Sequence, residues 1–260
     1  MKNKSNENTN ISINGTKEEM HDDNSKADLK IRRTAAERKI IAKYINQYGP
    51  NAIFWCKNAK TAEMLIENGA DVNALNHSDQ NALFYYGRTH RIKKKEFPLA
   101  KVLIEHGADV NAIDRTGRTA LFGCHDVKIA ELLIEHGTDV NAIDHNGQNA
   151  LFMYGKFTSP YCQFKSPESC IVQMLLEHGA DATTIDNDGQ NALFGCRQIE
   201  ITKLLIEHGA DPKTIDNGGR NALFECKYFS IAKLLIEHGA NPNLVDHNGD
   251  KCRWADYTFA

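Results

Sequence analysis

The stretch "NALFGCRQIEITKLLIEHGADPKTIDNGGR", residues 191–220, is followed at once by "NALFECKYFSIAKLLIEHGANPNLVDHNGD", residues 221–250. The same opening phrase stands at Asn51 ("NAIF"), Asn81, Thr119 ("TALF") and Asn149, so the steps along the chain are 30, 38, 30, 42 and 30 residues. A second phrase keeps the beat, from "LIENGADVN" at Leu65 and "LIEHGADVN" at Leu103 to "LIEHGANPN" at Leu235. Self-similarity at this period marks a stacked array, in which each unit buries against its neighbours the apolar face it cannot bury alone.

Within one unit, Ile201, Leu204, Leu205 and His208 follow the i, i+3, i+4, i+7 spacing of a single helix face, while Glu200, Lys203 and Glu207 fall mostly elsewhere. This amphipathic helix stops at Gly209, as its counterparts stop at Gly69, Gly107, Gly137, Gly179 and Gly239, where a left-handed backbone suits glycine. Beyond it "ADVNAIDRTGR" (108–118) carries Asp114-x-x-Gly117, the chemistry of a tight turn and a projecting hairpin tip. Asn or Thr then precedes "ALF", placed to cap the next helix. The unit reads as turn, short helix, longer helix.

"GADVNAIDRTGRTALF" (107–122) resembles an ankyrin repeat, and the resemblance runs over about residues 50–250. It implies an all-α solenoid of stacked helix-turn-helix units with projecting hairpin turns, whose fingers and inner helices form a binding surface. Six repeats follow (51–80, 81–118, 119–148, 149–190, 191–220, 221–250), behind a polar, disordered tail at 1–24 and a capping helix within 25–50, with a C-terminal partial repeat at 251–260. Thr34 and Glu37 stand in capping-box spacing for that helix, and Trp254 occupies the Phe position of the last, partial unit. The family's usual thirty-three residues are cut to thirty, which leaves room only for a very short first helix. Its Thr-Pro-Leu-His opening has become Asn-Ala-Leu-Phe. Phe54, Phe84, Phe122, Phe152, Phe194 and Phe224 are expected to form a buried ladder.

Two units are longer. The second inserts eight residues after Tyr86-Gly87 and the fourth twelve after Tyr154-Gly155, both between the two helices of their unit. Insertions in a solenoid map to one side, often the working side.

Composition bounds the chemistry. A hydrophobic fraction of 41%, 25% charge and a mean hydropathy of −0.50 fit an ordinary globular chain of 260 residues. No run of about 18 apolar residues is present, so no membrane insertion is expected. Seven cysteines without a C-x-x-C pair point to a reducing, cytoplasmic setting. A formal charge of −3 speaks against general nucleic-acid affinity. Phosphate loops, G-x-S-x-G and H-E-x-x-H are missing from the sequence, and no enzyme activity, metal or cofactor is expected.

The recurrent groups have plain readings. Cys56, Cys124, Cys196 and Cys226 recur as small core residues, and His106, His136, His178, His208 and His238 recur where a helix C-terminus welcomes an imidazole. Asn73, Asn111 and Asn141 resemble finger asparagines modified by eukaryotic hydroxylases, with structural hydrogen bonding as the simpler reason for them.

Function is expected to be non-enzymatic: an interaction module or scaffold, monomeric, that binds a protein partner. The non-repeating tip residues Arg115, Arg118, His145, Gln148, Asn187, Gln190, Arg220 and His247 are the expected contacts. The basic stretch "RTHRIKKK", with Arg88, Arg91, Lys93, Lys94 and Lys95, adds either a solvated loop or a site for an acidic surface, nucleic acid or phospholigand. Phe157, Tyr161 and Phe164 either close a small satellite core or present an aromatic anchor. A thiol- or metal-dependent enzyme on Cys162 and Cys170 is the remaining alternative. Similar arrays include intracellular regulators and proteins that microbes deliver into host cells.

Overall fold

The computed structural model describes residues 34–87, 96–156 and 166–255. Among them are nine α-helices and no strand beyond one isolated bridge, Val245 to Lys251. The chain divides into two compact units inside the first helix, one ending at Ala42 and the other starting at Lys43. That helix, α1 (Ala35–Tyr48), opens on the expected capping box: Thr34 Oγ1 accepts from Glu37 N at 3.3 Å and Glu37 Oε2 from Thr34 N at 3.0 Å.

From Lys43 onward the units stack in sequence order. The longer helices are α2 (Ala59–Ile66), α4 (Glu96–Glu105), α5 (Val127–Glu135), α7 (Pro167–Glu177), α8 (Ile199–Glu207) and α9 (Phe229–Glu237), and each packs against the next. Their buried stripe follows the helical period, as with Ile129 and Leu133 in α5 or Ile201 and Leu205 in α8. Leu204 and His208, placed on the same stripe by spacing, are half-buried and exposed, because the packed face is narrower than the apolar one. Each His ring instead sits by its own helix carbonyl; Nδ1 of His106 lies 2.8 Å from Val102 O, and His238 repeats this at Leu234 O. In the first unit Asn68 donates its amide to Met64 O in the same slot.

The first element of each unit varies with the room available. In the thirty-residue units it is not an α-helix: a seven-residue 3-10 helix at Gly49–Trp55 in the first, a single 3-10 turn at Ala120–Gly123, and a plain turn at 192–195 and 222–225. In the two long units it becomes a true α-helix, α3 (Ala82–Gly87) and α6 (Ala150–Lys156). The residues of α3 and α6 stand almost wholly before the insertions; where no insertion follows, the equivalent residues must turn at once into the longer helix, and i to i−4 bonds do not close. The Phe ladder is buried at Phe84, Phe122, Phe152 and Phe194, while Phe54 and Phe224, near the ends of the stack, are half-buried.

That difference explains the Cys-to-Tyr alternation. Short units place Cys after the Phe, and the thiol bonds locally, as Cys124 Sγ does to Asp126 O at 3.3 Å. Long units place Tyr there, and its hydroxyl reaches back to the carbonyls that end the preceding short element. Tyr154 Oη donates toward Leu121 O (2.6 Å) and Cys124 O (2.9 Å), and Tyr86 Oη toward Ile53 O (3.2 Å) and Cys56 O (3.3 Å). Trp254 does the same for the last unit, Nε1 donating to Cys226 O at 3.0 Å. The glycine after each Tyr lets the next unit approach: a Cβ on Gly155 would lie 3.3 Å from Ala192 O and 3.4 Å from Cys196 Sγ. Gly155 O then accepts Arg197 N at 2.9 Å, and Gly87 O accepts His125 N at 2.8 Å.

The residue before "ALF" joins neighbours too. Asn81, Asn149, Asn191 and Asn221 each donate Nδ2 to a carbonyl of the following hairpin at 2.8 Å and accept the amide two residues on. Thr119 holds this slot in the third unit, and its buried Oγ1 has no hydrogen-bond partner among the described residues. Thr119→Asn is therefore expected to stabilise the protein by about 1 kcal/mol. A rise in the urea midpoint at unchanged slope checks this, and a fall would show that the slot lacks room for the amide.

Candidate interaction surface

Between consecutive units the chain runs through a turn, closed at Ala112 N to Asp109 O (3.4 Å) in the second unit, and then a hairpin tip, and exposure alternates along it. Residues 109, 111, 113 and 115 are exposed, whereas 110, 112 and 114 are buried or half-buried, and the hairpins after the other helices repeat this. Each finger is tied to the one before it. His145 N donates to Thr116 O, Asn187 N to Asn146 O, Asn217 N to Asp188 O and His247 N to Gly218 O, all at 2.9 Å, and Arg115 N to Ser78 O at 3.1 Å. At the turn, Gly117 holds φ +82°, and a Cβ there would lie 2.9 Å from His145 Cδ2 and 3.2 Å from His145 N, so glycine is required twice over.

The inward aspartates bind the fingers together. Asp114 Oδ1 accepts Thr116 N and Arg118 N within its own turn, while Oδ2 accepts Gln80 Nε2 from the preceding unit at 3.0 Å. Burial alone raises the Asp114 carboxyl, and the bonds from Thr116 and Gln80 overcome it and bring the group below its ordinary value. The pattern recurs: Arg118 Nη2 to Asp144 Oδ2 at 2.7 Å, Gln148 to Asp186 at 2.6 Å and Gln190 to Asp216 at 3.0 Å. Arg118, Gln148 and Gln190 thus face the neighbouring unit. Gln and Arg alternate in this slot because either supplies the N–H that Oδ2 needs. Arg220 lies 3.5 Å from Asp216 of its own turn. Arg115, His145, Asn187 and His247 are exposed, Arg115 pairing with Asp79 at 3.0 Å and Asn187 donating to His145 O at 3.0 Å. Arg88, Arg91, Lys93, Lys94, Lys95, Phe157, Tyr161, Phe164 and Cys162 lie outside the described residues.

The finger asparagines form a second set of ties. Asn73 donates to Gly107 O and accepts Asp109 N, Asn111 donates to Gly137 O and accepts Asp139 N, and Asn141 donates to Gly179 O and accepts Asp181 N, all between 2.7 and 3.0 Å. Both ends of each amide are engaged, which accounts for these residues structurally.

What reading the tips missed is the row beside them. Leu75, Ile113, Ile143, Ile185, Ile215 and Val245 occupy one position of successive hairpins and are 47 to 58% exposed. The signal was in the sequence: an aliphatic residue between "A" or "T" and "D" in most units, at a place where alternation turns it away from the stack. Exposed aspartates run alongside, at Asp71, Asp109, Asp139, Asp181 and Asp211. An apolar row carried on a hydrogen-bonded framework can take up another apolar surface at small ordering cost.

Compared with known families, a model described as "Ankyrin repeats (3 copies)" matches residues 52–144 and 162–246. The chain belongs to the ankyrin-repeat family. Ankyrin repeats are in general protein–protein interaction modules and typically lack catalysis of their own. A comparison with curated proteins finds no match.

Five of the described cysteines in these ankyrin repeats have thiols held in the protonated form. Burial pushes the Cys56 and Cys124 thiols up to about 12 and raises Cys196, Cys226 and Cys252 as well, opposite to what a nucleophile needs. Cys170 sits half-buried on α7 and not in the preceding insertion. Among the described residues no group of three or more His, Cys, Asp or Glu is arranged around a metal position, and no helix is long and apolar enough to cross a membrane.

One pairing had no sequence signal at all. His125 and Glu168, 43 positions apart, meet with Nδ1 3.8 Å from Oε1, both side chains under 10% exposed.

Proposed function

We propose that this ankyrin array is a scaffold that binds a folded protein along its hairpin face, with the aliphatic row as anchor. The observation that carries this reading is the six aliphatic side chains in one register, half exposed on fingers fixed to each other by backbone bonds. The outward tip residues Arg115, His145, Asn187 and His247 border the row and set specificity. The insertions that follow α3 and α6 in sequence supply further contacts. A reducing, cytoplasmic setting agrees with the free, mostly buried cysteines, and the array acts as a monomer.

The test is a triple variant, Ile113→Asp, Ile143→Asp and Ile185→Asp, beside the intact chain carrying a photo-crosslinking residue at position 143. Removing three half-buried aliphatic contacts of about 1 kcal/mol each weakens a complex roughly a hundredfold. The crosslinked partner, once purified, is expected to bind the triple variant at least that much more weakly while the thermal midpoint stays within a few degrees. Undiminished binding by the folded triple variant sinks the proposal.

A further inference from the structure

The second helices carry a regular charge pattern on their outer face. Four residues before the Glu of "LIEHG", units two, five and six have Lys101, Lys203 and Lys233. Lys101 pairs with Glu105 at 3.7 Å and Lys233 with Glu237 at 3.8 Å, while Gln173 of unit four donates to Glu177 at 2.9 Å. Units one and three have a second glutamate instead, Glu63 and Glu131. Glu131 and Glu135 therefore form a like-charged i, i+4 pair, an arrangement that costs helix stability.

In unit three this pair borders a groove of about 310 Å³ between α5 and α7. Of its lining, Glu131, Glu135 and Glu177 are exposed and Ile134, Met174 and Cys170 are less so, with His178 beside Glu177 turning its Nδ1 to Met174 O. The sole lysine of α5, Lys128, turns away, its Nζ 5.9 Å from the Phe97 ring centroid on α4. α7 contains no Lys or Arg. Carboxylates alone would make a solvated face. Three of them beside less exposed apolar groups match a long cationic side chain, whose methylene stem wants the apolar groups and whose head wants the carboxylates.

The geometry points to this groove as a docking site for an arginine-bearing segment of a protein partner. The guanidinium sits among Glu131, Glu135 and Glu177, and the stem lies over Ile134 and Met174. The site is on the longer helices, away from the hairpins, and stands or falls independently of the hairpin face. A lysine at 131, as Lys101 and Lys233 stand in units two and six, would place a cation where the ligand's cation goes.

Acetylated hexa-arginine titrated into the full chain at fixed ionic strength tests it. Saturable one-site binding is expected, and Glu131→Lys weakens it at least about tenfold, equivalent to about 1.4 kcal/mol. Glu131→Lys restores the pairing used by Lys101 and Lys233, so its thermal midpoint is unchanged or higher. Glu200→Lys on α8, an equal change of charge at an exposed position, leaves the affinity within twofold. The peptide also slows alkylation of Cys170, read by peptide mapping, in the wild type and not in Glu131→Lys. Equal weakening by the two lysine variants, unprotected Cys170 at saturating peptide, or equally tight binding of spermine would each overturn the assignment.

Discussion

Tyr154→Ala is expected to destabilise the protein by about 3–5 kcal/mol, the usual cost of deleting a large buried aromatic side chain. Tyr154 is fully buried, and its hydroxyl also satisfies Leu121 O and Cys124 O at the end of the preceding unit's single turn. Burial holds the phenol well above its ordinary value, so it remains a donor at any working pH. Tyr154→Phe keeps the packing and leaves the carbonyls bare, which costs about 1–3 kcal/mol. The same change at Tyr86, whose bonds are longer at 3.2 and 3.3 Å, costs less. Because among the described residues the elements of each unit pack chiefly against those of adjacent units, weakening the boundary between units three and four also separates the halves of the array. Urea unfolding of Tyr154→Ala followed by fluorescence and circular dichroism should show two transitions that no longer coincide. One coincident transition at a wild-type midpoint would disprove the linking role of this residue.

The second large effect concerns His125 and Glu168. Removing the imidazole by His125→Ala leaves a carboxylate buried in the first turn of α7 without its main partner, at a cost of about 3–5 kcal/mol. The double replacement His125→Leu with Glu168→Leu removes both the burial cost and the attraction, and is expected to recover most of that loss. The His125 side chain beside it, against the effect of burial, holds the Glu168 carboxyl below its ordinary value. A carboxyl depressed in the folded state binds its proton more readily when unfolded. Its contribution is thus in place above the unfolded value of about 4.3 and is lost as pH falls through the folded value. The stability gap between wild type and Glu168→Gln should be full at neutral pH and close in acid. A gap that widens as pH falls would reverse the assigned direction.

His125 N is bonded to Gly87 O, just before the first insertion, and Glu168 follows the second. The buried pair therefore joins the roots of both insertions. Nothing in either segment hints at this, since His125 reads as a residue after a core cysteine and Glu168 as an acid opening a helix.

How far the surface could be read follows the same division. The alternation of "NAIDRTG" turns Ile113 outward, although isoleucine is by type a core residue. Arg118 and Gln148 could not be assigned in this way. Their variability suits recognition, and only the position of the next finger shows Asp144 and Asp186 waiting 2.6 to 2.9 Å away.

By itself the sequence determined the thirty-residue unit, the order of turn, short element and longer helix, the family, and the points where two units lengthen. Those depend on periodicity, glycine stops and turn residues that act within one unit. The tertiary structure alone decided that the first element becomes an α-helix only in the two long units, that Tyr154 belongs energetically to the unit before it, and which polar tips face a neighbour. Such contacts join residues 26 to 43 positions apart. They exist only after the stack has set its register, and no spacing within a unit encodes the distance to the next.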